Sequence, residues 1–322
     1  MRKVGLADTN VTVSALCLGT DSIGSRIDKG TSFQLLDRYC EEGGNFLDTA
    51  NFYASWLPDC RGGESETLLG TWMKERGNRE QIVVASKLAF DYPGCDGGLS
   101  AAEIERECEK SLTRLKTDRI DLYYAHRDDR DIPLEETMEA FDHLVRAGKV
   151  RMLGASNLTV WRIAEANTVS RTNGWAAYSV VEQRHTYLRP RAGADFGPQI
   201  CVNDDLKDYC RARGLTLIAY STLLQGAYVR ADRPIAAQYA GPDADARLTV
   251  LRDVADETGA TANQVVLAWL RQSDPPVLPI IAVSRVEQLR ENIGALEVRL
   301  SDDQMTRLDR AGNPDIKRAW LQ

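Results

Sequence analysis

The feature that most constrains the fold of this chain is an alternation of short apolar runs with amphipathic segments of helical period. Eight such runs are each followed by a helical segment. The runs begin near residues 15, 45, 82, 120, 150, 178, 215 and 277. Strands that alternate with helices in this way form parallel sheets. Eight units within 322 residues therefore predict an α/β fold, a (β/α)8 TIM barrel.

The start of the chain and its uniform composition complete the expected domain. Residues 3–13 indicate a β-hairpin that precedes the barrel, with its turn at Asp8, Thr9 and Asn10. No linker or low-complexity tract divides the chain, so we expect residues 1–322 to form a single domain. The other fold with this alternation, the Rossmann type, needs a G-x-G-x-x-G turn after its first strand. The corresponding stretch, LGTDSIG, lacks that spacing.

Composition and charge argue against several classes of function. The formal net charge of -7 disfavours nucleic acid or an anionic membrane as the main partner, because both attract basic surfaces. The seven cysteines include no C-x-x-C pair, which predicts reduced thiols instead of disulfides or a zinc site. The chain starts without a signal-like apolar region and has no run of about 18 apolar residues, so we expect a cytoplasmic protein. No pattern indicates an oligomeric state.

The stretch NFLDTANFY, residues 45–53, places a carboxylate at the end of a buried strand. Burial of a charge is unfavourable unless a partner lies near, so Asp48 requires a counter-ion. Tyr53 follows five residues later, and the next two strand-like runs end at Lys87 and His126. The carboxyl ends of barrel strands meet on one face, where the active sites of this fold lie. We therefore expect these four side chains to lie together.

The same four residue types suit the reduction of a carbonyl group, in which hydride attacks carbon and a proton reaches oxygen. Free tyrosine has a pKa of about 10, and lowering it by two units takes about 2.7 kcal/mol. A neighbouring ammonium group such as Lys87 can supply that energy, with Asp48 keeping the lysine charged. His126 would hydrogen-bond the carbonyl oxygen. Each residue alone has an ordinary structural explanation, and only their joint position indicates a site.

These motifs resemble those of the aldo-keto reductase family, and the resemblance extends over nearly the whole chain. NFLDTANFY is similar to the family's second-strand signature. The lysine of VVASK and the histidine of DLYYAHRDD stand at its other two catalytic positions. The resemblance implies a catalytic tetrad of Asp48, Tyr53, Lys87 and His126, with Tyr53 as proton donor. It also implies a small-molecule carbonyl or alcohol substrate and NADPH as cofactor, with NADH as the alternative.

The resemblance also implies where the nicotinamide end of the cofactor binds. Ser156, Asn157 and Gln183 match positions that hold the carboxamide, and Tyr220 matches the aromatic residue that stacks on the ring. The end of the first strand should line the same site with three residues, Gly19, Thr20 and Asp21.

The turn STLLQG matches the family's pyrophosphate contacts through Ser221, Leu223 and Gln225. Thr222 stands where the family usually has proline. We expect this difference to loosen the turn while leaving contacts through backbone amides intact.

Residues 282–292, AVSRVEQLREN, are similar to the family's G-x-x-x-x-x-Q-x-x-E-N segment at the adenosine end, with alanine in place of glycine. The matching positions are Ser284, Arg285, Gln288, Glu291 and Asn292. Arg285 near a helix N-terminus is the expected clamp for a 2′-phosphate, which favours NADPH over NADH. The alternative is structural: Ser284 and Glu287 would form a capping box and Arg285 would be an ordinary exposed residue.

Trp56, Phe90, Tyr92 and Arg127 lie on the loops that follow the strands and are candidates for the substrate wall. Such a wall suits a polar carbonyl compound such as a sugar or keto-sugar. It accommodates aromatic aldehydes and quinones equally.

Two other classes of function are open to a barrel of this kind. One is a sensor or auxiliary subunit that binds nicotinamide nucleotide with little turnover, like the potassium-channel β-subunit branch of the family. An intact tetrad favours turnover instead. The other is a metal-dependent lyase or isomerase. The chain has only three histidines and no carboxylate–histidine motif at metal spacing, so no metal site is expected.

Overall fold

The structure is a computed structural model, and it describes residues 1–7 and 9–312. The strands β1 (Lys3–Gly5) and β2 (Thr12–Ser14) pair antiparallel as the predicted hairpin. Asp8, expected at its turn, lies outside the described residues. The strands that follow are β3 (Cys17–Gly19), β4 (Phe46–Asp48), β5 (Val83–Leu88), β6 (Ile120–Ala125), β7 (Val150–Ser156), β8 (Tyr178–Arg184), β9 (Thr216–Tyr220) and β10 (Val277–Ile281).

Strands β3 to β10 close into a barrel in the order β10-β3-β4-β5-β6-β7-β8-β9, and each neighbouring pair is parallel. The predicted (β/α)8 barrel with an N-terminal hairpin is thereby confirmed. Strand bounds differ by a few residues. The first barrel strand begins at Cys17 instead of residue 15, and β5 ends at Leu88, one residue beyond the predicted end at Lys87.

Helices connect the strands around the outside of the barrel. In the described residues they are α1 (Lys29–Glu41), α2 (Glu64–Arg76), α3 (Ala101–Leu115), α4 (Leu134–Arg146), α5 (Val160–Asn173), α6 (Asp204–Arg213), α7 (Pro242–Thr258), α8 (Ala262–Gln272), α9 (Val286–Gly294) and α10 (Asp302–Arg310). Both α7 and α8 lie between β9 and β10, while α9 and α10 follow β10. No helix of the described residues is long and apolar enough to cross a membrane.

Helix ends show where capping chemistry was readable from the sequence. A serine or threonine followed three residues later by Glu or Gln predicts capping boxes at Ser100, Thr261 and Ser301. Those at Thr261 and Ser301 are both present. At Ser100 only the serine side of the expected box forms, because the Glu103 side chain turns to Arg106 and Cys95. The sequence predicts α1 from about residue 32. The helix begins earlier, at Lys29, because the Asp28 side chain accepts from the Thr31 backbone N–H and caps it.

The hairpin closes the bottom of the barrel. Leu6, Val11 and Val13 are buried against the apolar side chains of the barrel interior. The Ala7 backbone N–H also donates to the Thr216 hydroxyl at the start of β9, over 2.6 Å. A second apolar core fills the layer between the strands and the helices. The opposite end, where the strands finish, is therefore the open end of the barrel.

The period of two along each strand decides what points into the barrel. Phe46, Val83, Ala85 and Val180 belong to the apolar interior. The next inward positions toward the carboxyl ends are Asp48 on β4, Lys87 on β5 and Glu182 on β8. The interior thus changes from an apolar lower layer to a charged upper layer. That layer is where the candidate site lies.

Candidate active site

Lys87 lies at the centre of a buried polar cluster near the open end of the barrel. Its Nζ donates to Asp48 Oδ2 at 2.5 Å, to the Thr49 carbonyl oxygen at 3.0 Å and to the Tyr53 hydroxyl at 3.0 Å. The Tyr53 hydroxyl is also 3.4 Å from Asp48 Oδ2. Lys87 is 0% exposed and Asp48 is 2% exposed. The fold thus brings together Asp48, Tyr53 and Lys87, three of the four residues that the sequence predicts to lie together.

Glu182 is a second buried carboxylate in this cluster, and the sequence pattern alone assigned it no role. It is 2% exposed, and its Oε1 lies 3.5 Å from Lys87 Nζ. The family resemblance assigns a role to the neighbouring Gln183 instead. A signal was nevertheless present, because Glu182 stands two residues after the inward-facing Val180 on the same strand.

Burial controls the protonation of Tyr53. It raises the pKa of the phenol well above 10; Lys87 acts in the opposite direction, and Asp48 and Glu182 raise the pKa further. The expectation that Lys87 brings this pKa below its ordinary value is therefore wrong. A single cation does not outweigh burial together with two carboxylates. The phenol consequently keeps its proton at neutral pH.

The lysine itself stays charged. Burial alone would lower the pKa of Lys87, but the adjacent carboxylates of Asp48 and Glu182 raise it well above 10.5. The expected pairing of Lys87 with Asp48 is present in the structure, with Glu182 as an additional partner.

His126 follows β6 and faces the tyrosine across a group of aromatic rings. Its ring centroid lies 6.2 Å from that of Tyr53, 5.2 Å from that of Phe52 and 4.9 Å from that of Phe90. Burial, with the positive charges of Lys87 and Arg127, lowers the pKa of His126 well below 6.5. The imidazole is therefore neutral at physiological pH and can hydrogen-bond an oxygen without adding charge to the site.

The substrate-wall residues expected from the loops divide into two groups. Trp56 is 47% exposed and packs edge-on against Phe52 at 5.3 Å, while Phe90 stacks on Phe52 at 4.8 Å. Phe52 itself lies within NFLDTANFY, and no sequence pattern assigned it to the wall. Phe52, Tyr53, Trp56, Phe90 and His126 together form what we call the aromatic cluster.

Arg127 and Tyr92 are placed differently from one another. The Arg127 guanidinium lies 5.1 Å from the Phe90 ring centroid and 3.9 Å from Asp91, so it borders the aromatic cluster. The Tyr92 hydroxyl instead donates to Glu107 of α3 at 2.6 Å. Its polar end is thus engaged by a helix outside the barrel.

The three residues expected at the carboxamide interact with one another. The Asn157 backbone N–H donates to Gln183 Oε1 at 3.0 Å, and Asn157 Nδ2 donates to Ser156 Oγ at 3.1 Å. The Tyr220 hydroxyl donates to Asn157 Oδ1 at 2.7 Å. Asn157 adopts a left-handed backbone conformation with φ of 59°, which is uncommon outside glycine. The ends of β7, β8 and β9 are therefore joined by side-chain amides beside the tetrad.

Comparison with known proteins identifies the family of this chain. A sequence model of the Aldo/keto reductase family matches residues 15–313. The chain belongs to the aldo/keto reductase family. The norsolorinic acid reductase stcV of Emericella nidulans is 34% identical over 93% of this chain and 78% of its own length. The uncharacterized oxidoreductase YrpG of Bacillus subtilis is 32% identical over 92% of each chain.

A solved structure of the family has the same fold. The crystal structure of the thermostable aldo-keto reductase Tm1743 in complex with the inhibitor epalrestat matches with a TM-score of 0.76 and 30% sequence identity. The match covers 96% of this chain and 99% of the other. As an aldo/keto reductase, this protein is an NAD(P)H-dependent oxidoreductase that acts on small-molecule carbonyl compounds.

The turn after β9, which the sequence predicts to contact the pyrophosphate, contains three residues in the left-handed backbone region. Ser221, Leu224 and Gln225 have φ values of 55°, 47° and 58°, and such left-handed residues concentrate at functional sites. Thr222 does not loosen this turn. Its hydroxyl donates to the Ile280 carbonyl at 2.8 Å, a bond that proline could not form. Leu223 follows Thr222 and precedes a 3-10 turn at Leu224–Gly226.

The end of β3 borders the same face. Thr20 is buried, and its hydroxyl donates to the Asp48 backbone carbonyl at 2.8 Å, so it fixes the start of the loop that follows β4. Gly19 has no room for a side chain, because an added Cβ would lie 2.8 Å from Ile280 Cγ2. Asp21 is half-buried beside them.

The adenosine segment keeps an open helix start. The N-cap of α9 is Arg285, whose side chain is exposed, and no side chain in the described part of the chain caps this helix. The expected alternative, a capping box of Ser284 and Glu287, is therefore wrong. Gln288 Oε1 instead accepts from the Ser284 backbone N–H at 2.9 Å. The free amides of the first turn and one exposed guanidinium fit a phosphate group.

The last two residues predicted at the adenosine end are less exposed. The Glu291 carboxylate accepts from the Thr261 hydroxyl at 2.8 Å and from Asn263 Nδ2 at 3.3 Å, so it is engaged by the start of α8. Asn292 is 3% exposed. Neither side chain is as exposed as Arg285.

Proposed function

We propose that this protein reduces aromatic carbonyl compounds with NADPH, and that Tyr53 donates the proton. The observation that carries the proposal is the position of Lys87 Nζ, 3.0 Å from the Tyr53 hydroxyl and 2.5 Å from Asp48, beside the aromatic cluster. A protonated phenol and a permanent buried cation lie together at the open end of the barrel.

In the proposed reaction each member of the tetrad has a distinct task. Bound NADPH supplies the hydride. Tyr53 transfers its proton to the carbonyl oxygen, and the resulting phenolate is stabilised by the Lys87 ammonium group. Asp48 keeps Lys87 charged and oriented. The neutral His126 imidazole hydrogen-bonds the carbonyl oxygen and holds it near the phenol.

The aromatic cluster supports an aromatic substrate over a sugar. Phe52, Trp56 and Phe90 offer ring faces and edges beside Tyr53 and His126, and flat apolar groups stack on such surfaces. The Arg127 guanidinium, which could have bound hydroxyl groups, lies over the Phe90 ring. The relatives named norsolorinic acid reductases make that compound a useful member of a substrate panel.

The preference for NADPH rests on Arg285 at the uncapped start of α9. A guanidinium–phosphate hydrogen bond is worth about 1.5–3 kcal/mol, so Arg285→Ala should raise KM for NADPH by about tenfold to a hundredfold while leaving KM for NADH nearly unchanged. Arg290→Ala, which removes an exposed arginine from the same helix, is the matched control. Equal effects on both cofactors would refute the clamp.

The function is tested by following NADPH absorbance with a panel of aromatic aldehydes, aryl ketones, quinones and aldoses. Tyr53→Phe should remove nearly all turnover, because the phenyl ring has no proton to donate. Tyr178→Phe is the matched control, since it removes a buried hydroxyl at the start of β8. If Tyr53→Phe keeps wild-type turnover, the role of Tyr53 is wrong. Faster turnover of aldoses than of aromatic compounds would refute the substrate class.

The sensor alternative makes a different prediction in the same assay. A sensor would bind NADPH, as measured by quenching of tryptophan fluorescence, and would turn over no carbonyl compound and no alcohol.

A single domain over residues 1–322 and a cytoplasmic location stay predictions.

A further inference from the structure

Glu182 is the buried ionisable group that the proposed mechanism does not use. It projects from β8 into the upper layer of the barrel interior, 2% exposed, with Oε1 3.5 Å from Lys87 Nζ. Asp48 Oδ2 lies 2.5 Å from the same ammonium group. One cation therefore faces two carboxyl groups in a space closed to water.

The hydrogen bonding of the two carboxyl groups is incomplete when both are ionised. Asp48 Oδ1 and Glu182 Oε2 are both buried and have no hydrogen-bond partner among the described residues. The two groups are nevertheless close neighbours, because both lie within 3.5 Å of the same Lys87 Nζ. Two ionised carboxylates cannot bond, because both are acceptors only. A single proton between them supplies the missing donor.

Charge balance leads to the same state. With both carboxylates ionised, the buried cluster would carry one uncompensated negative charge, which is strongly unfavourable away from water. With one proton added, the cluster of two carboxyl groups and one lysine is neutral. Because Lys87 lies closer to Asp48 than to Glu182, it favours the ionised form of Asp48 more, and the proton belongs on Glu182.

We propose that Glu182 is a positioning residue that carries a proton in the working enzyme, and that this proton leaves the Lys87 charge available to stabilise the Tyr53 phenolate. Loss of the proton would place a second full negative charge beside Lys87 and disfavour the phenolate. The inference rests on the proposed function for its consequence in catalysis. The protonation itself does not depend on turnover.

Burial raises the pKa of Glu182 to about 8, with Asp48 raising it and Lys87 lowering it. The Glu182 proton should therefore be lost at mildly alkaline pH. The titratable groups that face Glu182 come from β3, β4 and its following loop, β5, β6 and β9. They are Cys17, Asp48, Tyr53, Lys87, Tyr124 and Tyr220.

The kinetic test compares wild type with Glu182→Gln, whose amide has the shape and the neutrality of the protonated acid. In wild type, kcat for carbonyl reduction should fall several-fold as the pH rises through about 8. In Glu182→Gln it should stay level through that range, and at neutral pH it should remain within about threefold of wild type. Asp142→Asn, which removes a buried carboxylate on α4, should show the wild-type profile.

A spectroscopic test decides the protonation without any measurement of turnover. Infrared spectra of the wild-type protein at pH values on either side of about 8 should differ by the C=O stretch of a protonated carboxylic acid. Incorporation of 13C-labelled glutamate should shift that band, and Glu182→Gln should remove it. An absent band at neutral pH, or a band unmoved by the label, overturns the proposal.

The two tests separate failure of this inference from failure of the proposed function. If the labelled band is found but wild type reduces no carbonyl compound, Glu182 is protonated and the proposed function is wrong. Two results in an active wild type would show that the positioning role is wrong. One is a fall in kcat of Glu182→Gln above pH 8 like that of wild type, and the other is a kcat of Glu182→Gln at neutral pH far more than threefold below wild type.

Discussion

Substitution of Lys87 by methionine tests the charge balance on which the whole site depends. The two side chains have similar length, so Lys87→Met removes the ammonium group with little change in packed volume. It leaves Asp48 and Glu182 buried without their cation. It also removes the hydrogen bonds to the Thr49 carbonyl and the Tyr53 hydroxyl.

The distances from Lys87 Nζ to the two carboxylates set the size of the expected loss in the free energy of unfolding. At an effective dielectric constant of about 20, the gross attraction is about 7 kcal/mol for the pair at 2.5 Å and about 5 kcal/mol for the pair at 3.5 Å. Desolvation offsets much of this attraction. Removal of one partner from a buried pair typically lowers the free energy of unfolding by about 3–5 kcal/mol, which is the expected loss at alkaline pH.

The loss of stability in Lys87→Met should be larger at high pH than at low pH. Burial already raises the pKa values of Asp48 and Glu182, and loss of Lys87 raises both further. An acid whose pKa is higher in the folded state stabilises the protein below its unfolded pKa, and this contribution disappears as pH rises through the folded pKa. The variant should therefore approach wild-type stability at about pH 4, near the unfolded pKa values of the two acids, and fall well below it at about pH 9.

Urea denaturation followed by circular dichroism measures this difference. With an m-value of about 3 kcal/mol/M, the urea midpoint should fall by about 1 M or more at alkaline pH. The double variant Lys87→Met/Asp48→Asn should recover part of the loss, because it removes one of the stranded carboxylates. An unchanged midpoint at alkaline pH, or an equal loss at both pH values, would refute the charge-balance reasoning.

Three further predictions concern the wall, the turn and a helix contact. Phe52→Ala should raise KM for aromatic carbonyl compounds by about threefold to tenfold, because an aromatic pair contributes about 0.5–1.5 kcal/mol beyond its buried area; aliphatic substrates, tested in parallel, should change less. Thr222→Val should lower the free energy of unfolding by about 1–3 kcal/mol in denaturant titrations, because the buried Ile280 carbonyl loses its donor, whereas Thr222→Ser should retain it. Gly70→Ala should lower Tm although alanine favours helices by about 1 kcal/mol, because the added Cβ would lie 2.2 Å from the Arg114 carbonyl oxygen; a higher Tm would contradict this.

The barrel and most of its site could be predicted because both depend on local periodicity. Inward and outward positions alternate along each strand, and each strand ends on the same face as its neighbours. The joint occurrence of Asp48, Lys87 and His126 near strand ends therefore implied a common location. Helix starts such as Thr261 were readable because a capping box involves only four consecutive residues.

The features that the sequence did not predict share a different cause. Tyr92 is on the expected loop, but its hydroxyl bonds to Glu107, which lies on a helix whose packing against the loop no local pattern specifies. The pKa of Tyr53 was expected in the wrong direction because burial and the charge on Glu182 arise only when β8 lies across the barrel from β4 and β5. Thr222 was expected to loosen its turn because its partner, Ile280, is distant in sequence.

The sequence by itself determined which residues can perform the chemistry and which end of the barrel they occupy. Those properties follow from residue type and from the two-residue period of a strand. Only the tertiary structure decided that Glu182 shares Lys87 with Asp48 and that Phe52 joins the wall beside His126. The physical reason is that distances across a closed barrel depend on strand register and closure, and these set both the burial of each charge and the number of charges that share one cation.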